Sequence, residues 1–291
     1  MPQTATTGNL ENAQRKIIAA ARYTAEHNAP SYALIEQFTL AKGAKSVTVP
    51  KVGQMTMSDL VDGQDIVDEE EIGMTTVDLT SAEVGAKIII TDKLVRQSVE
   101  NVFSMVGRQL GDGGARKQDR DVQALYSALN SGTSLGAATK ELSAINLGAC
   151  IAFAKANFKN SSRIYAIHHP NAVYEFVKSA AVTPSATYPV PDGWSADLLK
   201  KFFVGLRPLN GVPLFESGNI DADASGDGIG CIAAKEAMAA LNSVRWRTER
   251  QRDASLRATE VVYTADYGVF ELDDSMGAPM TYDVAAPATN N

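Results

Sequence analysis

Residues Thr91 to Asn130, TDKLVRQSVENVFSMVGRQLGDGGARKQDRDVQALYSALN, carry the periodic signal around which the other segments arrange themselves. The stretch opens on Thr91-Asp92, short oxygen-bearing side chains that can take up the free N–H groups of a helix start. Leu94, Val95, Val99, Val102, Phe103, Met105, Val106 and Leu110 follow, and at about 100° per residue they fall on one half of a cylinder. A second apolar set, Val122, Leu125, Tyr126 and Leu129, would point to nearly the opposite side if the helix ran on unbroken. Between the two sets sits Gly111-Asp112-Gly113-Gly114, each glycine costing about 1 kcal/mol relative to alanine inside a helix. Two readings follow: a bent or interrupted helix, or a strut that packs on different neighbours at its two ends.

Upstream of the strut, Ser46–Val52 alternates as a strand does, and Thr75–Leu79 and Ala86–Thr91 read the same way. The segment between these strands is too long for a tight turn. From Val52 to Ala86 there is no lysine or arginine, while Asp59, Asp62, Asp65, Asp68, Glu69, Glu70, Glu71, Asp78 and Glu83 are all present. Such a loop repels itself and has little core of its own. It is either a solvated acidic loop or one that docks on a basic partner surface. Earlier still, residues 10–26 read as a helix stopped at Asn28-Ala29-Pro30, and residues 32–38 as a second short helix. These opening helices have few large apolar residues, as an arm lying on something else would.

Downstream, residues 131–139 form a small-residue connector, after which helix and strand alternate. Helices are expected over 144–157, 171–181, 196–203 and 235–241, and strands over 163–168 and 229–234. Asn210-Gly211 marks a hairpin turn between 205–209 and 212–216. Residues 182–194 read as a loop. Two more strands, 243–249 and 256–264, are joined by Arg250-Gln251-Arg252-Asp253. Residues 267–272 and 280–284 close the fold. Arg245, Arg247, Arg250, Arg252 and Arg257 make this the densest basic patch in the chain.

Bulk composition narrows the function class. The 291 residues are enough for one large core or two modest ones, and 45% hydrophobic with 21% charged content is that of a folded soluble protein. A formal charge of −7 argues against a dedicated nucleic-acid binder. Cys150 and Cys231 stand far apart, outside any metal or disulfide spacing, which fits a reducing compartment. The N-terminal residues lack a signal-peptide pattern. No apolar run approaches the roughly 20 residues of a membrane span, so a soluble chain made in the cytosol is expected.

Each short motif has a plainer explanation. Gly132-Thr133-Ser134-Leu135-Gly136 spells a nucleophile elbow, but that chemistry needs a strand before the serine and a helix after it. Gly228-Ile229-Gly230-Cys231-Ile232-Ala233 imitates a dinucleotide fingerprint, yet it runs into a strand instead of opening a helix. Asp221, Asp223, Ser225 and Asp227 copy half an EF-hand loop whose closing acid would fall at Ile232. His168 and His169 are adjacent on a strand end and face opposite ways, so they do not share a metal. No catalytic residue, cofactor site or metal site is expected.

The order of parts is more telling than any motif. An arm, a long acidic two-stranded loop entered through Val47-Thr48-Val49-Pro50-Lys51-Val52-Gly53 and left along Lys87-Ile88-Ile89-Ile90-Thr91-Asp92, and then a spine helix together resemble the major capsid proteins of tailed bacteriophages. The α/β block and the closing Tyr267-Gly268-Val269-Phe270 and Ser275-Met276-Gly277 segments extend the likeness over nearly the whole chain. The resemblance implies an α+β, Hong Kong 97-type capsid fold. Its parts would be an N-terminal arm (1–46), an extended E-loop hairpin (47–90), and a long spine helix with the first part of the P-domain (91–135). An α/β A-domain (136–242), returning P-domain strands (243–272) and a C-terminal segment (273–291) would complete it.

It also implies a structural protein, not an enzyme, that self-assembles into hexamers and pentamers of an icosahedral virion shell. Such a shell would be built in the host cytoplasm around double-stranded DNA held non-specifically on its inner face. A separate scaffolding protein, a portal and a decoration protein would be its partners, and no membrane. The lysine–asparagine crosslink of some members is not expected, because Lys51 sits at the strand base and no lysine lies at the loop's tip. Charge suggests intersubunit contacts between Asp59, Asp62, Asp65, Asp68, Glu69, Glu70 and Glu71 of one copy and Arg245, Arg247, Arg250, Arg252 and Arg257 of the next. The alternatives are an encapsulin-type nanocompartment shell and a nucleotide-dependent enzyme using the Gly228 region.

Overall fold

The computed structural model describes residues 30–52, 57, 59, 73–98, 102–158, 163–181 and 211–287. The segments 10–26, 182–194, 196–203 and 205–209 lie outside them. Three sheets and one long helix organise what is described. The elements in order are α1 (Ser31–Leu34), β1 (Glu36–Thr39), β2 (Ser46–Val52), β3 (Met74–Thr80), β4 (Ala82–Thr91), α2 (Asp92–Gln97), α3 (Val102–Leu125), β5 (Leu135–Gly136), α4 (Ala144–Asn157), β6 (Ile164–His168), α5 (Pro170–Ala181), β7 (Leu214–Glu216), β8 (Asp227–Ala234), β9 (Met238–Asp253), β10 (Ala258–Glu271) and β11 (Gly277–Asp283).

The helix start at Thr91 forms as the sequence predicts, with the Thr91 side chain accepting the Leu94 N–H. That helix is short. Ser98 turns extended at its end, and the chain enters α3 at Val102. The glycine triplet does not break α3, whose 24 residues run through Gly111, Gly113 and Gly114. The strut reading therefore describes this helix. At its first end Val102, Phe103, Val106 and Leu110 pack on Ile88, Ile90, Val261 and Tyr263. At its other end Val122 and Leu125, with Tyr126 and Leu129 just beyond, pack among Tyr165, Ile167, Cys231 and Ala233. Two apolar sets on opposite sides of one helix are what two different neighbours require.

Those neighbours are a four-stranded sheet ordered β1-β9-β10-β4 and a five-stranded sheet ordered β5-β11-β8-β6-β7. The far face of the five-stranded sheet is covered by α4 and α5, through Leu147, Cys150, Ile151, Ala154, Val173 and Phe176. Ser143 caps α4 by accepting from Asn146. The third sheet is a ribbon of β2 and β3 in antiparallel register, Ser46 opposite Thr80 and Val52 opposite Met74.

Four sequence expectations are corrected. The helix expected over 32–38 stops at Leu34, the end of α1: Ile35 is extended, and β1 pairs in parallel with β9, Glu36 opposite Ala239. Residues 238–241 are strand, not helix, because Met238, Ala239, Ala240 and Leu241 are buried between the ribbon base and the second core. An unbroken apolar run does not distinguish a buried strand from a helix by periodicity. Arg250 to Asp253 is strand and not a connector; the turn is one step later, held by Asp253 Oδ1 accepting from Ser255 N (2.9 Å) and Leu256 N (3.1 Å). Residues 258–271 are one strand, kinked by register shifts between Thr264 and Tyr267. Of the hairpin expected around Asn210-Gly211, the described strand β7 pairs in parallel with β6.

Candidate assembly surface

The arginine-rich segment is divided by strand alternation. Arg250 lies opposite Val261, on the face that meets α3, and its guanidinium carbon sits 5.3 Å from the centre of the Phe103 ring. Arg252 shares that face. Its two terminal nitrogens reach the Asp92 carboxylate at 2.5 and 2.6 Å, a bidentate pair at the first turn of α2. The Arg252 hydrogen bond holds the Asp92 carboxyl below the usual carboxylate range. Arg247 and Glu249 lie on the opposite face, 3.3 Å apart, near the Lys87–Glu260 pair at 2.7 Å. Arg245 and Arg257 are exposed and form no ion pair among the described residues. Arg257 closes the β9–β10 turn in the left-handed region, φ +48°. Five arginines adjacent in sequence thus become two that serve the fold, one paired along its strand, and two open to solvent.

On the acidic side, Asp59 is exposed. Asp62, Asp65, Asp68, Glu69, Glu70 and Glu71 lie outside the described residues. Among the described residues, the apolar ties of the ribbon leading to them lie at its base. There Val47, Val49, Val77 and Leu79 pack with Phe38, Leu40, Phe270 and Leu272. Farther out, Met74 is 62% exposed and Met57 89%. An isolated two-stranded ribbon is marginal in water. One contact that spacing could not reveal is Lys51 Nζ to Asp273 Oδ1 at 2.6 Å, joining the ribbon to the segment between β10 and β11.

The motif segments have structural roles. Ser134 lies 2.7 Å from the Thr281 hydroxyl, and Gly136, at φ +87°, faces the ring of Tyr282, which leaves no room for a side chain. Gly230 lies in β8, where a Cβ would come 2.3 Å from the Ile167 carbonyl oxygen. That glycine serves strand packing. Asp223 Oδ1 accepts from Ser225 N and Asp227 N, while Asp227 Oδ1 accepts from Thr139 N, so these carboxylates hold turns. Among the described residues no group of three or more His, Cys, Asp and Glu side chains is placed to hold a metal. His168 is fully buried: its Nδ1 accepts from His169 N, which leaves Nε2 to donate to the Met280 carbonyl. Burial pushes both thiols, Cys150 and Cys231, up in pKa and away from thiolate chemistry.

Comparison with known proteins places this architecture. No family model and no curated protein sequence matches the chain. Solved structures do. A chain of Mycobacterium phage Che8 superposes with a TM-score of 0.68 at 15% identity, covering 99% of this chain and 98% of that one. The mature capsid of bacteriophage PhiM1 gives 0.65 at 12% identity, covering 92% and 91%. The head of Helicobacter pylori bacteriophage KHP40 gives 0.66 at 9%, covering 98% of each chain. The chain has a phage capsid fold, of the Hong Kong 97 type. Within this capsid fold, identity of 9–15% leaves few side chains in common.

Proposed function

We propose that the chain is the major capsid protein of a tailed bacteriophage and builds the icosahedral shell that encloses its genome. The single observation that carries this reading is the superposition over essentially the full length of both chains, 99% and 98% for the Che8 match. The mostly exposed ribbon supports it, since a marginal projecting element gains stability only when another surface covers it. On this reading residues 47–90 are the E-loop and residues 1–46 the arm. Residues 91–135 and 243–272 are the P-domain with its spine, 136–242 the A-domain and 273–291 the C-terminal segment. The acidic stretch from Asp59 to Glu71 docks on the open arginines, Arg245 and Arg257, of a neighbouring copy. Arg250 and Arg252 are already engaged within their own subunit. A scaffolding protein, a portal and a decoration protein complete the partner set.

Expression of the chain, with and without a scaffolding protein, followed by negative-stain microscopy and sizing chromatography, tests the reading. Closed shells or capsomers are the expected product. A stable monomer under all assembly conditions would overturn it.

A further inference from the structure

Asp119 lies on the second half of α3, and its carboxylate is fully buried at 0% exposure. Its four hydrogen-bond donors among the described residues are all uncharged. Oδ1 accepts the Ser31 backbone N–H at 2.7 Å. Oδ2 accepts from the Gln123 side-chain amide at 2.7 Å, the Ser217 hydroxyl at 2.9 Å and the Asn219 amide at 3.0 Å. The Gln123 nitrogen also lies 2.8 Å from the Ser217 oxygen and 3.3 Å from that of Ser31. These donors come from three places: the start of α1, the long helix itself, and the turn that follows β7 at the edge of the five-stranded sheet.

A carboxylate taken out of water is costly unless its lone pairs are occupied, and removing one donor returns much of that cost. Docking of each segment therefore depends on the others. If α1 leaves, the anion loses its Oδ1 partner; if the 217–219 turn shifts, Oδ2 loses two. One buried charge couples the entry of the N-terminal arm to the seating of the sheet on the strut.

We propose that Asp119 is the positioning residue that fixes the angle between the N-terminal arm, the long helix and the five-stranded sheet, and through that angle the curvature of the shell. The second half of the statement rests on the capsid reading; the first does not. Asp119→Asn preserves shape but turns an acceptor into a donor facing donors. Ser217→Ala is a milder variant that removes one donor.

Hydrogen exchange at the Ser31 amide in the unassembled subunit reads the junction directly, with the β6 amides as internal reference. Exchange at Ser31 should rise at least tenfold in Asp119→Asn and less in Ser217→Ala, with β6 unchanged, and assembled particles should broaden in diameter. Unchanged Ser31 exchange, or an equal rise in β6, would overturn the junction; if Asp119→Asn does not fold, Ser217→Ala decides the same comparison. Loosened Ser31 with particles of uniform size would overturn the link to curvature. If the wild type makes no shells, the capsid reading fails while the Ser31 comparison still decides the junction.

Discussion

His168 binds its proton reluctantly in the folded chain. Burial lowers its pKa from 6.5 to about 4, against a smaller opposing pull from the Met280 carbonyl. The groups around it are His169, the Tyr282 ring at 5.9 Å and the tight Gly230 backbone, none of them anionic. The unfolded chain takes up the proton near 6.5 and the folded one only near 4. Stability from this site is therefore complete above pH 6.5 and declines as pH falls toward 4, by at most about 3 kcal/mol. Urea midpoints measured from pH 7 to 4 should fall for the wild type and fall less for His168→Asn. Two helix glycines make a second, opposed pair. At Gly114 a Cβ would stand 3.0 Å from Tyr263 and 3.1 Å from Trp246, whose rings stack 4.6 Å apart against the helix. At Gly107 nothing lies within 4 Å. Gly107→Ala should stabilise the subunit by about 1 kcal/mol, whereas at Gly114 the crowding against the stacked rings offsets that gain, so Gly114→Ala should be the less stable of the two by about 1–3 kcal/mol. Thermal melts of the two variants check the contrast.

Among the described residues, the ribbon of β2 and β3 is held by an apolar base and by the polar contact Lys51–Asp273. Burial alone would raise the Asp273 pKa, but Lys51 and the Ser275 donors hold it below the usual range. The latch is thus present above the ordinary carboxylate pKa and is lost as pH falls through the lowered value. With Lys51 nearly half exposed, its worth is modest, about 0–1 kcal/mol. Lys51→Met should speed hydrogen exchange across 46–52 and 74–80 at pH 7 without moving the global melt. Unchanged ribbon exchange would assign its pose to the apolar base alone.

Which elements were readable in advance follows from where their partners lie. Thr91 caps its helix with a side chain acting three residues away, so local spacing shows it. Glu36–Thr39 is a strand only because residues 239–242 arrive beside it, and the Asp92–Arg252 pair joins residues 160 apart. No window of sequence contains such pairs. For the same reason the arginine patch was visible as a count, while its division into structural and open members was not. The strut was legible as two apolar faces, and the two cores that explain them were not.

For the whole subunit, the open arginines separate folding from association. Arg245→Glu with Arg257→Glu should leave the unfolding free energy from urea titration within about 1 kcal/mol of wild type and sharply reduce shell yield in sedimentation. Normal shells from that variant would remove the acidic-loop docking. If the arginines instead meet packaged DNA, the variant should lose nucleic acid in a salt-dependent way. A different consequence follows from β11, which lies between β8 and the two-residue edge strand β5 of the five-stranded sheet. Until a ribosome has made residues 277–283, β5 has no partner in that sheet and one edge of β8 is bare, just as β1 and β4 wait earlier on β9 and β10. Sequence-distant pairing of this kind folds slowly. On the capsid reading, competence to associate should therefore arrive only once translation has supplied this late strand, so that unfinished copies stay out of the particle.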